Sequence, residues 1–210
     1  MLKNIIKPHL KKLMDKNKVE RKEKHLFIHI PKTAGTSFRS ALEEKHKVIT
    51  DYGVNEARTS LEIKECGYLS NDPYLLNEAI DNADFDWLCG HTPIGKYSDS
   101  VSVVNIVTFV REPVAQFISH YNHFVRLRDF DGDITKFMAV YQGKQNFQHK
   151  YLSYIPLGLI GCVGITEQYD ESLLLINNHL GIDLERKDEN INSDKALEID
   201  GLDDDIKQLV

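Results

Sequence analysis

The chain has 210 residues, 41% of them apolar, enough to bury one sizeable core and too few for two full domains. Its formal charge of -6 excludes a general nucleic-acid binder, which would carry a basic excess against the phosphates. Cys66, Cys89 and Cys162 are far apart and lack paired spacing, which argues against a disulfide framework or a zinc site.

The first 24 residues carry nine Lys or Arg against three acids, whereas residues 183–210 carry ten acids against four bases. Leu2, Ile5, Ile6, Leu10, Leu13 and Met14 recur at helical spacing among lysines, so residues 1–24 read as a basic amphipathic helix, interrupted or opened by Pro8, followed by a linker. Its apolar stripe packs on the domain, or residues 1–18 dock a protein partner or a membrane surface; both uses stay open. With no apolar run of membrane-spanning length and no secretory signal, a cytoplasmic protein is expected, its main domain covering residues 25–210.

His25–Ile30 is a short apolar run ending at Pro31, as expected of a buried strand, and Ser37–Lys47 has helical composition. Residues 48–84 are mixed, with helical stretches around Ala57–Glu65 and Pro73–Ala83. Asp86–Cys89 reads as a second strand, and Val101–Val110, β-branched and nearly uncharged, as a third strand covered on both faces. Pro113 opens a helix whose buried face carries Phe117, Ile118, Tyr121 and Phe124. Tyr141–Tyr154 reads as helix, Cys162–Ile165 as strand, and Glu171–His179 as a helix closed by Gly181. Strands alternating with helices imply an α/β fold, a P-loop-like three-layer arrangement with a mostly parallel sheet flanked by helices.

The chemistry gathers where strands end. Lys32, Thr33, Ala34, Gly35, Thr36 and Ser37 follow a strand and open a helix, so backbone amides converge where an anion would lie. Gly35 allows close approach, the hydroxyls of Thr33, Thr36 and Ser37 can donate, and Lys32 supplies a mobile charge. Because Lys32 precedes the glycine, the segment departs from the nucleoside-triphosphatase pattern G-x-x-x-x-G-K-[ST]. On its local chemistry alone the same loop also fits a helix cap with an incidental lysine. Arg111 stands at the carboxyl end of the third strand and Ser119 lies eight residues on, placed to share a phosphate; the alternative is an arginine paired with Glu112 beside an exposed serine.

The segments HIPKTAGTSF and TFVREPVAQFISHY resemble the 5′-phosphosulfate loop and the 3′-phosphate motif of sulfotransferases that use 3′-phosphoadenosine 5′-phosphosulfate (PAPS), in the carbohydrate branch that includes the heparan 2-O enzymes. QNFQHKYLS and VGITEQYDESL fit the same pattern, so the resemblance covers roughly residues 25–195. It implies that residues 32–37 hold the 5′-phosphosulfate, that Arg111 and Ser119 hold the 3′-phosphate, and that a sugar hydroxyl is the acceptor. No metal is implied. Sulfuryl transfer resembles phosphoryl transfer in its loose, in-line transition state, which gives Lys32 the leaving bridge oxygen to stabilise. For the general base, His91 is the first candidate, in a glycine-flanked loop similar to the family's G-H-x-x-x-G; the alternative is that it only fixes that loop. His29, His120 and His123 are rival bases. Asn146 and Gln148 either touch a ligand or lie neutral on a surface helix.

Family members usually continue with a further helical segment past the point where this chain stops at Val210, so the resemblance implies a compact or a shortened member. Two other functions stay open: a nucleotide-dependent phosphotransferase with an atypical loop, and an inactive PAPS-binding or nucleotide-binding scaffold module docked through its N-terminal helix.

Overall fold

A computed structural model describes residues 23–70, 72, 74–140, 146–187, 197, 198, 201 and 202. The basic helix expected over residues 1–24 lies almost wholly outside them, as do Tyr141–Gln145 and most of the acidic stretch beyond Lys187. No described helix is long and apolar enough to cross a membrane.

Strands β1 (His25–Ile28), β2 (Val48–Asp51), β3 (Trp87–Gly90), β4 (Ile106–Val110) and β5 (Cys162–Ile165) form one parallel sheet in the order β2-β3-β1-β4-β5. Around it lie α1 (Gly35–Lys45), α2 (Leu61–Lys64), α3 (Leu75–Asn82), α4 (Pro113–Leu127), α5 (Ile134–Val140), α6 (Phe147–Leu152) and α7 (Tyr169–Leu180). Strand alternation divides the core into two layers. Phe27, Trp87, Cys89, Val107 and Phe109 face α1 and α7, meeting Phe38, Leu42, Leu173 and Ile176. Leu26, Ile28, Leu88 and Ile106 face the other side, against Ile63, Ile80 and Leu152. The expected α/β architecture is therefore the one observed.

The central strands are covered on both faces, which is why β1, β3 and β4 read as continuous apolar runs. The third strand is shorter than its composition suggested. Val101–Asn105 is not strand: Val103–Asn105 forms a single helical turn, and only Ile106–Val110 pairs with its neighbours. Pairing stops there because the Asn105 side chain is held by Glu23 and the Lys24 carbonyl, and because the Gly161 amide donates to Val103 instead of continuing the ladder. The helix expected over Ala57–Glu65 begins only at Leu61 and continues as a wide turn through Leu69. Strand β2 and helix α5 fall in segments with no clear signal in the sequence.

From β1 the chain passes through α1 toward β2 on one side of the sheet, while from β4 it passes toward β5 on the other. The carboxyl ends of these two neighbouring strands are the switch point at which open α/β sheets form a ligand crevice. Glu112 starts α4 at its rim, its carboxylate accepting from the amides of Val114 (3.0 Å) and Ala115 (2.5 Å), with Pro113 in the first turn. At the end of β3, a Cβ on Gly90 would lie 2.1 Å from the Asp51 carbonyl oxygen. Gly90→Ala is therefore expected to destabilise the domain by about 1–3 kcal/mol, read as a lower urea midpoint.

Candidate functional site

The loop between β1 and α1 has an alternating backbone. Lys32 (φ 69°) and Ala34 (φ 61°) both adopt the left-handed conformation, each at a cost of about 1–2 kcal/mol for a residue with a Cβ. Such alternation turns successive amides to one side and forms a concave anion nest. Three side chains hold it from behind by taking up consecutive carbonyls. Thr33 Oγ1 donates to Ile30 (2.9 Å), Gln116 Nε2 to Pro31 (2.8 Å), and Arg111 Nη1 to Lys32 (3.2 Å). Helix α1 then begins without any side-chain cap, so its first-turn amides have no partner from its own N-cap.

Several sequence expectations change in detail. Gly35 was expected to allow close backbone approach; the positive φ angles of the loop fall at Lys32 and Ala34. Gly35 is small for another reason: a Cβ there would lie 2.1 Å from the His29 ring. The Thr33 hydroxyl is fully buried and committed to Ile30, which makes it a shaper of the loop. Thr36 is half-buried and Ser37 buried, both in the first turn of α1.

Arg111 follows β4 and reaches the same loop. Its backbone is fixed by a reciprocal amide pair, with Gln148 Oε1 accepting from Arg111 N (2.8 Å) and Gln148 Nε2 donating to Arg111 O (2.7 Å). This gives Gln148 a positioning role that its sequence context left open. Arg111 Nε is buried with no hydrogen-bond partner; the nearest carboxylate across it is Glu167 at 3.8 Å, not the adjacent Glu112. Ser119 is half-buried on α4, one turn beyond the Gln116 that touches the loop, and Arg126 shares its side of the helix two turns further on. Burial, then Arg126 and Arg111, push the Lys32 ammonium below its usual pKa, and among the described residues no carboxylate pairs with it. Arg126 was not singled out from the sequence, because an arginine near the end of a helix reads as a solvated cap.

On the other flank, His29 and His91 meet edge to face with ring centroids 4.6 Å apart, and Tyr52 lies against both, its hydroxyl 3.0 Å from His29 Nδ1. His91 Nε2 is buried without a hydrogen-bond partner. Burial, followed by Arg58 and Arg39, lowers the His91 pKa to about 4, and Asp51 opposes them. His29 is held well below its ordinary value, first by burial and then by His91 and the nearby cations. Burial therefore favours the neutral form of both rings, the form that can accept a proton. Of the other candidates, His120 is buried and stacks on Phe147 at 5.3 Å, while His123 lies edge-on to Phe124. Asn146 is exposed at the start of α6. Among the described residues no cluster of His, Cys, Asp or Glu could hold a metal ion.

No family model matches the chain, and no curated protein matches it in sequence. Among solved structures, it is similar to the mouse sulfotransferase SULT7A1 complexed with PAP, with a TM-score of 0.52 and 12% identity over 79% of this chain and 60% of that one. A sulfotransferase from Alicyclobacillus acidocaldarius superposes with a TM-score of 0.49 and 14% identity over 85% of this chain and 87% of that one. What the chain shares with the mouse protein is the α/β fold, over 60% of that protein's length.

The two neutral histidines couple stability to pH. Unfolding restores their ordinary affinity for protons, so the unfolded chain binds more of them below about pH 6.5, and stability falls as the pH drops from there toward 4. The expected slope is up to about 1.4 kcal/mol per pH unit for each ring, and His91→Gln should flatten it in urea titrations run across that range.

Proposed function

We propose that the chain transfers a sulfuryl group from PAPS to an acceptor hydroxyl. The observation that carries this reading is that Arg111, at the end of β4, reaches the loop that follows the neighbouring β1. The nest of residues 32–37 ends β1, Arg111 ends the neighbouring β4, and the Arg111 guanidinium holds the Lys32 carbonyl. A donor with a 5′-phosphosulfate and a separate 3′-phosphate needs two anion sites a ribose apart. The residues present fit it: a helix start without a side-chain cap, a lysine without a carboxylate, and an arginine whose buried Nε has no hydrogen-bond partner. The fold shared with a sulfotransferase solved with PAP supports the same donor.

In this reading residues 32–37 bind the 5′-phosphosulfate, with Thr33 acting through the loop's shape, while Arg111 and Ser119 bind the 3′-phosphate. Lys32 meets the charge that develops on the bridge oxygen as its bond to sulfur breaks, aided by the field of Arg126. His91 Nε2 takes the proton of the attacking hydroxyl. The donor supplies the sulfuryl group, and adenosine 3′,5′-bisphosphate leaves. A carbohydrate hydroxyl as acceptor rests on the sequence motifs alone. The unpaired state of all three cysteines supports a cytoplasmic or other reducing setting.

Incubation with sulfur-labelled PAPS and a panel of oligosaccharides and simple alcohols tests this. The expected result is bisphosphate release with label on an acceptor, slowed about 100-fold or more in Lys32→Ala, and slowed in His91→Gln without loss of donor binding. Magnesium-dependent consumption of ATP with PAPS untouched would instead make the protein a phosphotransferase.

A further inference from the structure

Asp51, at the carboxyl end of β2, is a carboxylate only 1% exposed. It accepts from Tyr68 Oη (2.6 Å), Lys96 Nζ (2.6 Å), Tyr97 Oη (2.7 Å) and the Gly53 amide (3.2 Å). Lys96 also lies over the Tyr68 ring, 3.9 Å from its centroid. A carboxylate with this many donors from distant segments is more than the end of an edge strand requires. Two of these donors, Lys96 and Tyr97, end the Gly90–Tyr97 loop, which carries His91. At its start, Gly90 pairs with Asp51 across the sheet and packs on its carbonyl so closely that a Cβ would lie 2.1 Å away. At its end, Lys96 and Tyr97 bind the Asp51 carboxylate. Between these two anchors the His91 ring rests 4.6 Å from Tyr52, the residue that follows Asp51.

We propose that Asp51 is the positioning residue of this site: it clamps both ends of the Gly90–Tyr97 loop and so holds His91 where it accepts the proton. This rests on the reading of His91 as the base. The clamp also sets the field at the ring. The groups that face His91 are His29 after β1, Arg39 on α1, Tyr52 and Asp51 at β2, and Arg58 in the loop beyond. Arg39 is itself paired with Glu43 (2.7 Å). Arg58 and Arg39 disfavour protonation of His91, whereas Asp51 favours it. Lys96 and Asp51 form one ion pair, 2.6 Å apart, of opposite charge.

That opposition provides a test independent of the acceptor. The His91 ring signals, assigned by their loss in His91→Gln, are followed against pH by NMR in the full chain. Asp51→Asn is expected to lower the His91 midpoint and Lys96→Met to raise it, each by about one pH unit, with Tyr68→Phe as a milder second release of the carboxylate that shifts the midpoint upward. Shifts of the same sign in Asp51→Asn and Lys96→Met, or no shift in variants that remain folded, overturn the proposal. If Asp51→Asn does not fold, Lys96→Met and Tyr68→Phe decide alone, and an unmoved or lowered midpoint in both overturns it. A titration of the wild type with adenosine 3′,5′-bisphosphate separates the two ideas. Opposed shifts without bisphosphate binding leave the clamp standing and remove the sulfuryl-transfer reading, whereas binding with unmoved midpoints does the reverse.

Discussion

Three consecutive carbonyls, those of Ile30, Pro31 and Lys32, are each taken up by a side chain from a different place, and the shape of the crevice follows from that. A loop with left-handed Lys32 and Ala34 would relax if left alone, because each residue forgoes a more stable conformation. Thr33, Gln116 and Arg111 hold it in place, and with the carbonyls turned away the amides are left to line the concave side. The same contacts join β1 to β4 at the point where their connections diverge, so the loop and the arginine form one unit instead of two neighbouring ones. Gln148 extends the arrangement by fixing both backbone polar groups of Arg111.

Electrostatics give that unit its purpose. Lys32, Arg111 and Arg126 gather with Glu167 and Glu112 at the margin, and burial disfavours the charged form of both Lys32 and Arg111. Cations placed together and partly out of water are a standing cost until an anion joins them. A doubly anionic ligand would remove the cost at both sites at once, which is the preorganisation the proposed donor site needs. The His29, His91 and Tyr52 cluster lies under the same loop, with His29 against Gly35, so the proposed anion site and the proposed proton acceptor share one foundation.

Much of this was legible wherever the signal was local. A buried strand ending at Pro31 and followed by small and hydroxylated residues places the loop before α1, and a β-branched run ending at Arg111 places the arginine that reaches it. The misreadings share a different cause. Val101–Asn105 has strand composition, but pairing is decided by Glu23, Lys24 and Gly161, all remote in sequence. Val48–Asp51 is a half-buried edge strand among polar residues, so neither alternation nor a long apolar run marks it. Gln116 and Gln148 look like any surface amides until the carbonyls they hold are known. Asp51 draws its donors from residues 68, 96 and 97, a convergence that only the folded chain makes visible.

The central claim is that one crevice binds two separate phosphates of one nucleotide, and calorimetric titration with adenosine 3′,5′-bisphosphate, beside ATP with magnesium, measures it most directly. The account predicts micromolar-range binding of the bisphosphate, much weaker binding of ATP, and loss of the preference for the 3′-phosphate in Arg111→Ala. Equal affinity for adenosine 5′-phosphate and the bisphosphate, or tight magnesium-dependent binding of ATP, would contradict it.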